Sequence, residues 1–225
     1  MKNLSVVLVS GGLDSAVTTA IAAGSGEIAL LHVNYGQKTE ERELTAFGAI
    51  ADHYGAEKRF IVDMRYMKAI GGSTLTSSSE DIPQGDLERE GIPSTYVPFR
   101  NAQLLGAGVA WAEAIGASSV YIGAVEEDSS GYPDCRRSFF QAYEKAIEEG
   151  TRPETSIKIV TPLIEMKKSD IVVRGLALKT PFEHTWSCYS DSTLACGACD
   201  SCLLRLRGFE QAGSRDPIAY RDQVR

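Results

Sequence analysis

A short apolar run near the N-terminus that ends in two adjacent glycines constrains this chain more than any other feature. Residues 4–9 are almost uninterrupted in apolar side chains, which is typical of a strand buried on both faces. Ser10, Gly11 and Gly12 follow, and residues 14–23 are small and compatible with a helix. Glycines let the backbone turn sharply, and the helix then presents free N–H groups and the positive end of its dipole. The sequence therefore predicts an anion-binding turn between the first strand and the first helix.

The rest of the chain alternates between strand and helix patterns. Short apolar runs predict further strands at 28–33, 59–62, 119–123 and 157–160, and helical patterns occupy 14–23, 40–54, 102–115, 138–149 and 168–179. This alternation predicts an α/β fold with an open, mostly parallel, doubly wound sheet, which binds ligands at the carboxyl ends of its strands. Residues 71–94 show no period and predict a long loop, which in a compact domain is usually functional or disordered.

Charge and composition exclude several classes of protein. The net charge of −7 argues against a broad basic surface, so we expect no direct binding to nucleic acid. No apolar run is long enough to cross a bilayer, and the N-terminus lacks the pattern of a signal peptide, so we expect no membrane association. The five cysteines are an odd number without a secretion signal, which indicates a reducing compartment and predicts a cytoplasmic protein.

Four of the cysteines form a cluster near the C-terminus. Cys188, Cys196, Cys199 and Cys202 have the spacing C-x₇-C-x₂-C-x₂-C, and four thiolates satisfy a tetrahedral metal ion and leave no open position. A structural Zn²⁺ is the first expectation, and an iron–sulfur cluster or buried free thiols are the alternatives. The 225 residues are enough for one α/β domain. We therefore predict an α/β domain at 1–185 and a small metal-binding segment at 186–225 that packs on it.

The glycine turn differs from the common nucleotide-binding motifs. It lacks the Gly-Lys-Ser/Thr of a Walker loop and is not Gly-x-Gly-x-x-Gly. Ser10-Gly11-Gly12-Leu13-Asp14-Ser15 instead resembles the signature of the PP-loop ATPases, which have an adenine-nucleotide hydrolase-like fold and cleave ATP between the α- and β-phosphates. Ser10 and Ser15 offer hydroxyl donors, and Asp14 beside an anion suggests Mg²⁺. The resemblance implies ATP binding by Leu8, Val9, Ser10, Gly11, Gly12, Leu13, Asp14, Ser15, Ala16, Val17 and Thr18.

Further segments together resemble one family within that superfamily. They are residues 35–37, 96–101, 131–136, 185–189 and 196–202, with Asp216-Pro217 and Tyr220 near the end. The set resembles the 7-cyano-7-deazaguanine (preQ0) synthase family of queuosine biosynthesis, and Lys38 and Phe99 depart from its usual residues. The resemblance implies a ligase that uses ATP and ammonia to turn 7-carboxy-7-deazaguanine into the nitrile through adenylated intermediates and an amide. A homodimer is an expectation at the level of the family alone.

The resemblance also suggests roles for residues outside the loop. The implied catalytic residues are Ser10, Asp14, Ser15 and Lys168, the last either serving phosphate charge or lying solvated at a helix start. Gln37, Arg100, Asn101, Asp134 and Arg136 are candidates for substrate binding. A surface arginine and a helix cap are the alternatives for Arg100 and Asn101, and a turn residue is the alternative for Asp134.

Two other functions are consistent with the same motifs. One is an enzyme of the same loop class that acts on tRNA, which the net charge of −7 disfavours. The other is a nucleotide-binding regulatory module whose metal segment contacts a partner. The sequence contains no glutaminase pattern, so free ammonia is the expected source of nitrogen.

Overall fold

A five-stranded sheet forms the centre of the computed structural model, which describes residues 3–126 and 131–221. The strands are β1 (Leu4–Leu8), β2 (Glu27–Asn34), β3 (Lys58–Asp63), β4 (Ser119–Ile122) and β5 (Lys158–Val160). Their order is β3-β2-β1-β4-β5, and every neighbouring pair is parallel. The structure thus confirms the predicted parallel α/β sheet. The chain order reverses between β1 and β4, and such a switch point opens a crevice at the carboxyl ends of the strands.

Helices cover both faces of this sheet. They are α1 (Leu13–Ser25), α2 (Glu40–His53), α3 (Tyr66–Ile70), α4 (Arg100–Ile115), α5 (Arg137–Gly150), α6 (Lys168–Ala177) and α7 (Asp200–Gln211). Five of them correspond to predicted helices with ends shifted by a few residues. The sequence patterns did not predict α3, which is short, or α7, which begins inside the cysteine cluster.

The alternation of side chains along β1 explains the two layers. Val6 and Leu8 belong to one apolar cluster, which α4 and α5 cover, whereas Val7 and Val9 belong to a second cluster, which α1 and α2 cover. Successive side chains of a strand point to opposite faces, so a strand buried on both sides needs an almost continuous apolar run. The first strand therefore has the sequence that its central place requires.

Residues 71–94 contain no helix or strand, as predicted, but hydrogen bonds and an ion pair hold them in place. The Thr74 N–H donates to the carbonyl oxygen of Ser94 at 2.9 Å. Farther along, the Gly85 N–H donates to the carbonyl oxygen of Ala198 at 2.7 Å, and Arg89 forms an ion pair with Asp200 at 2.8 Å. This long segment therefore holds the start of α7 against the rest of the protein.

The C-terminal segment closes the structure around α6 and α7. Phe182 and Phe209 pack edge to face with ring centroids 5.2 Å apart, and both belong to an apolar cluster with Val17 of α1. Aromatic pairs of this geometry stabilise a contact beyond the area that they bury. Among the described residues, none of the helices has the length and apolar character needed to cross a bilayer.

Candidate active site

The glycine turn between β1 and α1 has the geometry of an anion-binding loop. Gly11 has a φ of +89°, and a Cβ at this position would lie 2.7 Å from the carbonyl oxygen of Glu43 and 2.9 Å from the Cβ of Ala46. Only glycine fits both the backbone angle and the close approach of α2. The Gly12 N–H donates to Ser10 Oγ at 3.2 Å, and the Ser10 hydroxyl donates to Ser15 Oγ at 3.1 Å.

The loop sits at the switch point of the sheet and is closed in from the β4 side. A Cβ on Gly123, which follows β4, would lie 2.9 Å from the carbonyl oxygen of Asp14. The two strand ends therefore bring their backbones into contact beneath the crevice. Predicted nucleotide residues that line the cavity above this point are Leu8, Val9, Ser10, Gly12, Leu13, Asp14 and Ser15. Ala16, Val17 and Thr18 are fully buried in α1.

Lys168 and Asp14 form an ion pair at the mouth of the loop. The Lys168 Nζ lies 2.8 Å from both carboxylate oxygens of Asp14, and the lysine side chain is 11% exposed. Lys168 begins α6, and the two residues are 154 positions apart in the chain. The fold thus brings a positive charge to a loop that contains no lysine of its own, where it can serve phosphate oxygens.

Two adjoining cavities of about 240 and 190 Å³ extend from the loop toward α4 and the C-terminal segment. Both include Arg100 and Asn101 on one side and Ser187 and Tyr189 on the other. The cavities are therefore continuous with the glycine turn at one end and lined by aromatic, amide and guanidinium groups beyond it. A planar, polar heterocycle needs walls of this kind.

Arg100 is held in the cavity by Tyr35. Its Nη1 donates to the Tyr35 hydroxyl at 3.0 Å, and its guanidinium carbon lies 5.2 Å from the centroid of the tyrosine ring. Burial raises the pKa of Tyr35 to about 12, against the lowering effect of the Arg100 charge. The phenol therefore stays neutral and accepts from the guanidinium, which leaves the other donors of Arg100 for a ligand.

Glu43 is an acid in the same cavity that sequence analysis did not select. Its carboxylate accepts hydrogen bonds from Thr39 Oγ1 at 2.8 Å and from Gln37 Nε2 at 3.1 Å. Removal from water raises the pKa of Glu43 to about 7, although these two hydrogen bonds and the charge of Arg100 oppose the shift. Three acids fall in the first turn of α2, so nothing in the sequence separates Glu43 from Glu40, which does not line the cavity.

Among the predicted substrate residues, Arg100 and Asn101 line the cavity, and the others lie around it. Asp134 accepts from the Asn101 backbone N–H at 2.9 Å and is 3% exposed, so its carboxylate is engaged with the start of α4. Gln37 is buried and supports Tyr35 and Glu43. Arg136 lines a separate surface pocket with Arg89 and Arg207. Direct substrate contacts by Gln37, Asp134 and Arg136 stay predictions.

The four clustered cysteines converge on one point. Their sulfur atoms all lie within 4.8 Å of one another, and Cys196 Sγ and Cys202 Sγ are 3.9 Å apart. Backbone N–H groups of Ala198 and Cys199 donate to Cys196 Sγ at 3.4 Å. Hydrogen bonds from the thiols of Cys199 and Cys202 lower the pKa of Cys188. The four sulfurs could therefore hold one metal ion and would leave it no open position.

Arg205 connects the cysteine segment to the wall of the cavity. This fully buried arginine of α7 pairs with Asp216 through two hydrogen bonds of 2.7 and 2.9 Å, and it donates to Thr185 Oγ1 at 2.7 Å and Ser187 Oγ at 3.2 Å. Between the last two residues, the Trp186 N–H donates to the carbonyl oxygen of Gly11 at 2.8 Å. Residues 185–187 therefore connect the segment that contains the four cysteines to the glycine turn.

Comparison with known proteins identifies a family. A family described as queuosine biosynthesis protein QueC matches residues 4–213. A protein of Chlorobium phaeobacteroides named 7-cyano-7-deazaguanine synthase is 59% identical over 216 residues, which are 96% of each chain. One of the same name from Chloroherpeton thalassium is 56% identical over 217 residues, again 96% of each.

One solved structure of distant sequence shares the fold. The NMN synthetase of Francisella tularensis superposes with a TM-score of 0.50 at 16% identity, covering 95% of this chain and 78% of its own. At so low an identity, the likeness is one of architecture alone. It places the parallel sheet in a known class of folds.

Proposed function

The chain belongs to the queuosine biosynthesis protein QueC family of 7-cyano-7-deazaguanine synthases, and we propose that it makes the nitrile from 7-carboxy-7-deazaguanine, ATP and ammonia. The reaction proceeds through an acyl adenylate, an amide and a second, adenylated amide. The observation that carries this proposal is the continuity of the phosphate loop with the cavity that contains Arg100 and Ser187. An acid bound in that cavity lies beside the α-phosphate of an ATP on the loop.

The first chemical step activates a carboxylate, which is a poor electrophile. Its oxygen attacks the α-phosphorus of ATP, the bond to the bridging oxygen breaks, and pyrophosphate leaves. Backbone N–H groups at the start of α1 and the hydroxyls of Ser10 and Ser15 hold the departing phosphates, and Lys168 compensates their charge. Asp14 and the phosphates form a donor set that suits Mg²⁺, which supplies further charge neutralisation when bound.

The following steps exchange oxygen for nitrogen. Ammonia attacks the acyl carbon and displaces AMP to give the amide. The amide oxygen then attacks a second ATP in the same way, and loss of AMP and a proton from the imidate yields the nitrile. Most of the catalysis comes from holding the two reactants in line and stabilising charge at the α-phosphorus, so one set of residues serves both rounds.

The cysteine cluster suits one structural Zn²⁺. Four sulfurs at about 2.3 Å from one ion in a tetrahedron lie about 3.8 Å apart, close to the 3.9 Å between Cys196 and Cys202. Thiolates that bind different irons of a cluster are farther apart, so the compact set favours one ion. All four positions are filled by protein, so the ion stabilises residues 186–221 and does not take part in the reaction.

Removal of this metal is expected to disorder the C-terminal segment. Structural zinc contributes about 10–16 kcal/mol of apparent binding free energy at such sites, which exceeds the stability of many domains. Hydrogen exchange should show lost amide protection in α7 and at Trp186 after chelation, while β1 and β2 stay protected. Unchanged protection of α7 in a sample verified as metal-free would contradict a structural role.

Mass spectrometry of the product tests the proposed function. The protein is incubated with ATP, Mg²⁺, ammonium and 7-carboxy-7-deazaguanine, and we expect the nitrile together with AMP. ATP–pyrophosphate exchange should depend on the acid and should be insensitive to added RNA, because the net charge of −7 provides no general RNA surface. Exchange that requires tRNA would favour the rival enzyme class, and no AMP above background would favour a regulatory module. We also propose that the protein acts without nucleic acid and as a homodimer.

A further inference from the structure

Ammonia presents a chemical problem that the proposed reaction must solve. At neutral pH it exists almost entirely as ammonium, which has no lone pair and cannot attack an acyl carbon. A site that uses ammonium therefore needs an acceptor for its proton close to the activated acid. The site must also bind a small cation in addition to two anions, ATP and a carboxylate.

The acids of the two cavities differ in their partners. Asp14 pairs with Lys168, and Asp200 pairs with Arg89, so both are engaged with positive side chains. Among the described residues, the hydrogen-bond partners of the Glu43 carboxylate are the neutral groups of Thr39 and Gln37. Within residues 3–126 and 131–221, Glu43 is thus the acid of these cavities that has no cationic hydrogen-bond partner.

The position of Glu43 suits a reaction at the phosphate loop. Its own backbone carbonyl oxygen would lie 2.7 Å from a Cβ on Gly11, so α2 packs directly against the loop. The carboxylate shares the cavity with Ser10, Gly12 and Arg100. Each carboxylate oxygen receives one hydrogen bond, which leaves a lone pair on each for a further donor.

We propose that Glu43 binds ammonium and accepts its proton, and so delivers ammonia to the activated acid. One N–H bond of ammonium breaks, and its proton passes to a carboxylate oxygen of Glu43. The freed lone pair forms the C–N bond, the C–O bond to AMP breaks with its electron pair leaving on AMP, and the attacking nitrogen releases a further proton to water. This inference rests on the proposed function.

The charged and titratable groups around Glu43 are compatible with this role. Arg100 of α4 and Tyr35 after β2 face it, and Glu40 lies on its own helix. Burial raises the pKa of Glu43 to about 7, so the carboxylate becomes available as the pH rises through neutrality. A carboxyl group with an ordinary pKa would be a weaker acceptor of the proton.

Glu43→Gln tests the proposal without disturbing the local hydrogen bonds. The glutamine oxygen can accept from Gln37, and its amide can donate to the Thr39 hydroxyl, which also accepts. Glu41→Gln is the matched control because Glu41 is an exposed acid of the same helix turn. ATP–pyrophosphate exchange driven by 7-carboxy-7-deazaguanine without ammonium should be the same in both variants and the wild type.

Two nucleophiles then separate proton transfer from a structural effect. With ammonium at pH 7, we expect amide formation by Glu43→Gln to fall about a hundredfold. Hydroxylamine is largely neutral at this pH, so it should give hydroxamate at the wild-type rate in every variant. The wild-type rate with ammonium should level off above about pH 7, whereas the variant should keep rising about tenfold per pH unit, with the bulk supply of free ammonia.

Each failure has its own signature. Equal loss with ammonium and hydroxylamine would overturn the proposal and assign Glu43 a structural role, and an unchanged amide rate in Glu43→Gln would overturn it outright. Absence of acid-dependent exchange in the wild type would instead refute the proposed function on which it rests.

Discussion

Lys168→Met is expected to lower the rate of adenylation about a thousandfold, with a much smaller change in the KM for ATP. Lys168 is the cation that the fold brings to the loop, 2.8 Å from Asp14. The charge on the departing pyrophosphate grows in the transition state. A lysine at the loop therefore stabilises the transition state more than it stabilises bound ATP. Its removal also takes away the lysine partner of Asp14 beside the phosphates, which adds repulsion.

Methionine is the right replacement because the lysine stem is packed. A Cβ on Gly208 of α7 would lie 2.6 Å from Lys168 Cγ, so a shorter side chain would leave a gap between α6 and α7. Lys167→Met is the control, since Lys167 is exposed and precedes the same helix. Acid-dependent ATP–pyrophosphate exchange measures the effect. A variant with normal turnover and only a raised KM for ATP would show that Lys168 contributes to binding and not to the chemical step.

The glycine turn and the sheet were predictable because their signals are local. An apolar run that fits a strand buried on both faces, followed by Gly11 and Gly12, needs no knowledge of distant residues. The helices α4 and α5 likewise carry enough of a pattern to be predicted within a few residues of their ends.

Residues whose role depends on distant contacts could not be identified in this way. Arg205 is fully buried, but in the sequence it is only one of several charged residues of α7. Its partner Asp216 lies beyond the helix. Glu43 reads as an ordinary acid in the first turn of a helix, where acids favour the helix dipole. Both are distinguished only by what the tertiary fold packs around them.

Helix α2 links the parts of the site that the sequence presents separately. Its first turns contribute Glu43 to the cavity and pack closely against the backbone of Gly11. Ala46 of the same helix packs against Trp186 and Cys188 near the C-terminus. The glycine turn is therefore enclosed between α2 and the C-terminal segment. Loss of order in that segment removes one wall of the cavity above the glycine turn.

Arg205→Met is expected to reduce the free energy of unfolding of the metal-loaded protein by about 3–5 kcal/mol, because it leaves the Asp216 carboxylate buried without its cation. That carboxylate is 4% exposed, and its remaining donors are the Tyr220 hydroxyl and the Ile218 N–H. For a chain of this size, the loss corresponds to a fall in Tm of about 6–20 °C. Arg215→Met serves as the control, since Arg215 is exposed.

The same variant is expected to weaken ATP binding because Arg205 positions residues 185–187, whose backbone is hydrogen-bonded to the loop. Thr185 and Ser187 lose their common donor, and Trp186 between them holds the carbonyl oxygen of Gly11 at 2.8 Å. Adding Asp216→Asn should recover part of the lost stability, because the neutral amide no longer needs a cation, but it cannot restore the donors to Thr185 and Ser187. Stability should therefore improve in the double variant while the KM for ATP stays raised. Recovery of both together would show that Arg205 acts through global stability alone, and a single variant as stable as Arg215→Met would contradict the ion pair's contribution.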